Sequence, residues 1–183
     1  MRKLTRTAAL AVCVAAGAGP AVVPAHAAAG EHPGAVHTVQ SGHVLACHGQ
    51  SGERSVAVEL YGNSFYGNVV SVSVEGPDGQ YGGGTNPASL FGDGTVAADV
   101  PLERLGEEGG DAVGTASVGG TYTAVGDPVR VHDVYREPGW NVVSTGTNQR
   151  LAARVTVAVF GETVSLTCGD AFAFDLRVTK TPS

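Results

Sequence analysis

The stretch VTVAVFGETVSLTC, residues 155–168, decides the fold. Val155, Val157 and Val159 alternate with Thr156 and Ala158, and beyond a glycine Val164 and Leu166 alternate with Thr163, Ser165 and Thr167. Apolar and polar residues exchanging at a period of two mark half-buried strands, and Gly161-Glu162 fits the two-residue turn of a hairpin. That turn pairs Val159 with Val164, Val157 with Leu166 and Val155 with Cys168, so all six share one face. Downstream, Phe172, Phe174, Leu176 and Val178 alternate in the same way. A two-residue turn at Gly169-Asp170 throws these four onto the opposite face. A three-residue connection, Gly169-Asp170-Ala171, returns them to the core side. The expectation is therefore the longer turn, or a last strand that crosses to a second sheet.

Upstream the pattern repeats. Val56, Val58 and Leu60 form one row, Val70, Val72 and Val74 another, and Val96, Ala98, Val100 and Leu102 a third; Val129 and Val131 begin a fourth. No segment beyond the leader sustains a helical period, and Pro101 to Glu108 has room for one helical turn at most. Gly76-Pro77-Asp78-Gly79 reads as a tight reversal, and Gly119-Gly120 as a hairpin turn whose central residues need positive φ. Two longer glycine-rich stretches, Gly82 to Gly94 and Gly139 to Gln149, read as loops, where binding usually resides on a rigid scaffold. The fold class expected is all-β: an antiparallel β-sandwich of non-immunoglobulin topology, with a closed β-barrel as the second choice.

The amino-terminal end sets the compartment. Arg2, Lys3 and Arg6 precede an apolar run from Ala8, and Ala25-His26-Ala27 supplies a small-x-small cleavage pattern, so 1–27 reads as a signal peptide. Gly17, Gly19, Pro20 and Pro24 interrupt the run, which suits a leader better than a membrane span. Val12 is too bulky before Cys13 for a lipoprotein cut, so simple secretion is preferred. Residues 28–34 read as a flexible tail and 35–183 as a single domain, long enough to close a core. Losing Arg2, Lys3 and Arg6 with the leader takes the basic residues from 11 to 8 against 17 acidic ones, a net charge of −9. Such a surface repels nucleic acid and anionic lipid, and no membrane span is expected after cleavage. The absence of Ile and the abundance of Ala, Gly and Val point to a GC-rich bacterial genome and not to any function.

Cleavage leaves Cys47 and Cys168 as the only cysteines. In an oxidising compartment they are expected to form a disulfide joining an early strand to a late one. They lack the C-x-x-C spacing and the basic neighbours of a reactive pair. Their sequence distance, and Trp140 lying near the second cysteine, depart from the immunoglobulin pattern.

His32, His37, His43 and His48 fall close together, and imidazoles ligate zinc and copper. On a strand, however, His43 and His48 point to opposite faces, which favours ordinary surface histidines. A cut after Ala29 would expose Gly30-Glu31-His32, a sequence able to hold copper(II) in a square-planar nitrogen set. Tyr61-Gly62-Asn63 recurs as Tyr66-Gly67-Asn68 around a hairpin loop. Phe65 and Tyr66, with Tyr81 and Trp140, are the candidate binding aromatics, suited to stacking on sugars or anchoring a protein partner. There is no G-x-S-x-G, H-E-x-x-H, EF-hand or phosphate-loop motif, and adjacent His132 and Asp133 point apart. No cofactor is expected.

The function expected is non-enzymatic binding of an extracellular protein or glycan through loops. A secreted protease inhibitor, presenting Gly82 to Gly94 or Arg136 to Asn141, is the alternative. A hydrolase built on cross-strand carboxylates comes third.

Overall fold

In the computed structural model, residues 34–106 and 112–183 are described, and they form nine antiparallel strands with no helix among them. The leader, Cys13, the tail as far as Pro33, and His32 lie outside the described residues. The strands are β1 (Val36–Ser51), β2 (Arg54–Asn63), β3 (Gly67–Gly76), β4 (Gly79–Thr85), β5 (Thr95–Arg104), β6 (Gly114–Ala124), β7 (Val129–Glu137), β8 (Trp140–Val159) and β9 (Glu162–Pro182). They join one sheet in the order β6-β5-β4-β3-β2-β1-β9-β8-β7, with β6 also paired to β8. The ladder thus runs as a circuit of eight strands, with β7 attached outside it. The circuit is thinnest between β4 and β5, where two residue pairs connect them. Its interior is the main core, filled by Leu45, Val58, Leu60, Val70, Val100, Leu102, Val118, Val157 and Val164 among others.

The hairpin that announced the fold forms, but with its turn one residue earlier. Val159 pairs with Glu162, Val157 with Val164 and Val155 with Leu166, leaving Phe160-Gly161 as the connection instead of Gly161-Glu162. Each partner is displaced by two residues, so the inward face is preserved. Both turn residues have positive φ, 50° at Phe160 and 79° at Gly161, matching the right-handed strand twist. A left-handed phenylalanine costs about 1–2 kcal/mol. Contacts outside the turn offset it: the ring lies 4.9 Å from that of Tyr81, and the Arg54 guanidinium sits 5.4 Å above it while pairing with Glu162.

Strand β9 runs unbroken where a turn at Gly169-Asp170-Ala171 was expected. Ala46 pairs with Asp170 but Cys47 with Cys168, so Gly169 is an extra residue in β9, a bulge. One inserted residue exchanges the faces of everything beyond it. Ala171 and Ala173 turn to the main core, while Phe172, Phe174, Leu176 and Val178 go to the opposite face, against the expectation that they would stay on the core side.

Two glycine-rich segments are strand, not turn or loop. Gly119 and Gly120 lie inside β6, paired to Ala97 and Val96 on one side and to Thr156 and Val155 on the other. Glycine is needed there for closeness: a Cβ on Gly120 would collide with the Arg154 carbonyl oxygen. From Trp140 onward the segment 139–149 belongs to β8, held between β7 and β9. Of Gly82 to Gly94, the first part finishes β4 and only 86–94 is irregular, with Leu90 buried and Phe91 bridged to Val96. The Gly76–Gly79 reversal is as expected, with Pro77-Asp78 at its tip.

Cys47 and Cys168 are disulfide-bonded across the β1–β9 ladder, beside the bulge. The disulfide, and the lack among the described residues of a helix long and apolar enough to cross a membrane, fit an extracellular protein.

Candidate functional site

The face that receives Phe172, Phe174 and Leu176 is where the candidate site assembles. A cavity of about 280 Å³ is floored by these residues and Val44, and bordered by Gln40, Tyr61, Asn63, Val131, Asp133 and Asn148. A hollow of about 320 Å³ shares Asn148 and Phe172 and continues beside the Gly169 bulge. The buried polar side chains among the described residues are Gln40, Asn63 and Ser144, and strand register puts all three on this face. Burying a polar group costs free energy unless its hydrogen bonds are made, and here they are concentrated on Asn63.

Asn63 Nδ2 donates to Gln40 Oε1 (3.1 Å) and to the Tyr61 hydroxyl (2.6 Å). Its Oδ1 accepts from the backbone N–H groups of Phe65 (2.8 Å) and Tyr66 (3.2 Å). One buried amide therefore ties the cavity wall to the β2–β3 turn. The turn is also clamped to β1: Ser64 N–H donates to the Ser41 carbonyl (2.8 Å), and Ser41 N–H donates to Ser64 Oγ (2.9 Å). Phe65 and Tyr66, 55% and 50% exposed, are thus held out on a fixed backbone, their rings edge to face at 4.9 Å.

Lys180 donates to Glu137 Oε2 at 2.6 Å across the mouth of this face. That hydrogen bond raises the lysine pKa against the opposing effect of burial, and the Tyr66 and Tyr135 hydroxyls are also within electrostatic reach. Tyr61, whose ring stacks on Phe174, has its pKa raised chiefly by burial, with Tyr66 and Tyr135 adding to it. Tyr66, Tyr135, Lys180 and Glu137 therefore converge beside the cavity. Among the described residues no buried side-chain polar atom lacks a partner.

The sequence candidates separate. Phe65 and Tyr66 stand at this mouth. Trp140 opens β8, half-buried, and its register with Glu137 and Pro182 puts it one row beyond Lys180 on the same face. Tyr81 is instead buried under Arg104 and Phe160, its hydroxyl donating to the Asp78 carbonyl.

The histidines do not converge. His37 points to the opposite face, with Nδ1 3.0 Å from Thr179 Oγ1. His43 lies half-buried at the edge of the main core, its ring 4.8 Å from that of Phe91 and 5.0 Å from that of Tyr122, its pKa lowered by burial. His48 is exposed on the outer face of β1. Among the described residues no three His, Cys, Asp or Glu side chains gather as a metal set.

A wider groove of about 710 Å³ crosses the outside of β9, β1, β2, β3 and β4. Its floor is short side chains, Ser55, Ala57, Ser73 and Thr167, and it presents no exposed aromatic. The smaller cavity is the stronger candidate because anchoring rings, a charged pair and a polar network meet there. Gln40, Tyr135 and the Lys180–Glu137 pair escaped the sequence reading, and Tyr61 and Asn63 entered it only through the repeated Tyr-Gly-Asn. Comparisons with protein-family models, curated proteins and solved structures find no match.

Proposed function

We propose that this is a secreted, non-enzymatic binding protein whose partner is another extracellular protein, seated on Phe65, Tyr66 and Tyr135 beside the Lys180–Glu137 pair. The observation carrying this reading is the Asn63-pinned aromatic turn. Two large side chains stay half exposed on a backbone already ordered, so binding them loses little conformational freedom. A protein suits the rings better than a glycan, since they meet at 85° and offer no shared flat platform for a sugar. The leader and the disulfide support the extracellular setting.

The other readings have less to rest on. An inhibitor needs a protruding loop, yet Asn68 Nδ2 holds the carbonyls of Pro87 and Ala88, and Arg136 to Asn141 closes as a tight hairpin. For a carboxylate-based hydrolase, Asp133 is the one carboxylate bordering the cavity.

The test is to capture the partner from native culture medium and envelope, purify it, and measure its affinity for wild type, Phe65→Ala and Tyr66→Ala. An anchor worth about 2 kcal/mol weakens binding roughly 30-fold. Equal affinity for all three proteins would overturn the proposal.

A further inference from the structure

Strand β7 differs from the rest of the sheet. Every strand in the circuit has at least two neighbours, whereas β7, along its nine residues, pairs with β8 alone. Its outer edge offers backbone donors and acceptors to solvent, and the strand is exposed nearly throughout, with Val129 and Val134 about two-thirds accessible. Its ladder with β8 is regular from Val129 to Glu137, and the strand contains no proline. Two devices that blunt edge strands, a bulge and a proline, are therefore missing from it.

The register gives this edge two chemically different sides. On the cavity side β7 presents Val131, Asp133 and Tyr135. On the other side it presents Arg130, His132, Val134 and Arg136, and the rows across β8 into β9 and β1 add Arg177 and His37. Asp175 is the one acid in those rows. A chain of net charge −6 thus carries a locally basic face, assembled from residues far apart in sequence. Reading the sequence linearly finds no basic cluster because the cluster exists only across strands.

We infer that β7 accepts an extended segment of a partner polypeptide as a tenth, antiparallel strand. The segment carries acidic side chains over Arg130, His132 and Arg136, and apolar or aromatic side chains over Val131 and Tyr135. The inference deepens the proposed protein-binding role and rests on it. Only a polypeptide satisfies both halves of the edge: main-chain hydrogen bonds at strand spacing, and alternate side chains sorted between the two faces. The basic side chains select an acidic sequence.

The test uses the full oxidised exported protein and three synthetic nine-residue peptides. One alternates Glu with Val and Phe, one has Lys for each Glu, and one is the Glu peptide N-methylated at alternate residues. Amide spectra followed to millimolar peptide are expected to show the Glu peptide moving β7 signals. N-methylation should weaken binding by about tenfold or more, because it removes ladder hydrogen bonds. Arg130→Glu with Arg136→Glu should do the same and should turn preference to the Lys peptide, a gain that misfolding would not produce.

Failure of the Glu peptide to shift β7, equal binding of the N-methylated peptide, or equal binding of the Lys peptide would overturn strand addition. A captured partner that depends on Phe65 and Tyr66 but ignores Arg130→Glu/Arg136→Glu would leave the aromatic site standing and remove this inference alone.

Discussion

Replacing Asn63 with alanine tests whether one buried amide organises both the cavity and the aromatic turn. The side chain makes four hydrogen bonds and is 5% exposed. Two of the bonds come from the N–H groups of Phe65 and Tyr66, which sit in an exposed turn and can turn to water, so losing them costs only a few tenths of a kcal/mol each. The buried half dominates. Gln40 Oε1, on a residue 7% exposed, loses its donor, at about 1–3 kcal/mol, and a small void adds to that. The sum is about 2–4 kcal/mol, or roughly 1–2 M in the urea midpoint for a domain of this size. Asn68, the equivalent residue of the repeat, is the control. Its Nδ2 pins Pro87 and Ala88 from a half-buried position, so Asn68→Ala should cost only about 1 kcal/mol. Urea unfolding with amide-exchange protection at Phe65 and Tyr66 reads both effects. An Asn63→Ala midpoint within about 0.2 M of wild type, or unchanged protection in the turn, would refute the reasoning.

Four further outcomes are expected. Burial holds the folded-state pKa of His43 below the unfolded value of about 6.5. The unfolded chain therefore binds more protons, and stability, complete above that pH, declines as pH falls from there through the folded pKa. His43→Phe should flatten this part of a melting-temperature profile, and a profile unchanged by the substitution would refute it. Gly120→Ala drives a methyl into the Arg154 carbonyl and should destabilise by about 1–3 kcal/mol, whereas Gly119→Ala, open to solvent, should be nearly neutral; equal midpoints would contradict the β6–β8 approach. Reduction of Cys47–Cys168, whose partners are separated by 121 residues, should remove up to about 4–5 kcal/mol, read as a lower urea midpoint in dithiothreitol. Phe160→Gly relieves the left-handed strain but loses the ring's contacts with Tyr81 and Arg54. The two effects are of similar size, so its stability should lie within about 1 kcal/mol of wild type.

The strands were legible in the sequence because alternation is local: Val56 to Leu60 reports its own burial without knowing its neighbours. The disulfide was legible for a different reason, since Cys47 and Cys168 are the only two cysteines beyond residue 27 and leave only one pairing there. Errors arose where a short motif has two physical uses. Gly119-Gly120 reads as a turn because glycine permits positive φ, but the same residue also permits close backbone approach, and β8 is what requires it there. Segment 139–149 reads as a loop because Ser144, Gly146 and Asn148 suit loops; the partners that make it a strand come from β7 and β9. Phe65 and Tyr66 could be picked out from the repeat. Tyr135 and Lys180 could not, because only register across β7, β8 and β9 carries them to the same mouth.

The most consequential of these non-local features is the single residue inserted at Gly169. Were Gly169 paired like its neighbours, Phe172 and Phe174 would keep the parity of Leu166 and Cys168 and point to the main core, at whose edge His43, Phe91 and Tyr122 already stack against one another. That interior accepts Ala171 and Ala173 because methyl groups are what fit beside three rings. The bulge sends the bulky side chains outward. There Val44, Tyr61 and Val131 complete an apolar floor, and Gln40 and Asn63 supply the polar wall that fixes the aromatic turn. The apolar floor of the cavity thus follows from one exchange of faces in β9. Deletion of Gly169 makes Cys47–Cys168 and Ala46–Asp170 consecutive pairs of a regular ladder and keeps every later side chain on its present face. It is therefore expected to leave the main core and the binding face both in place, with a urea midpoint near that of wild type, whereas Asn63→Ala damages the face. Loss of both core and face on the deletion would refute this parity.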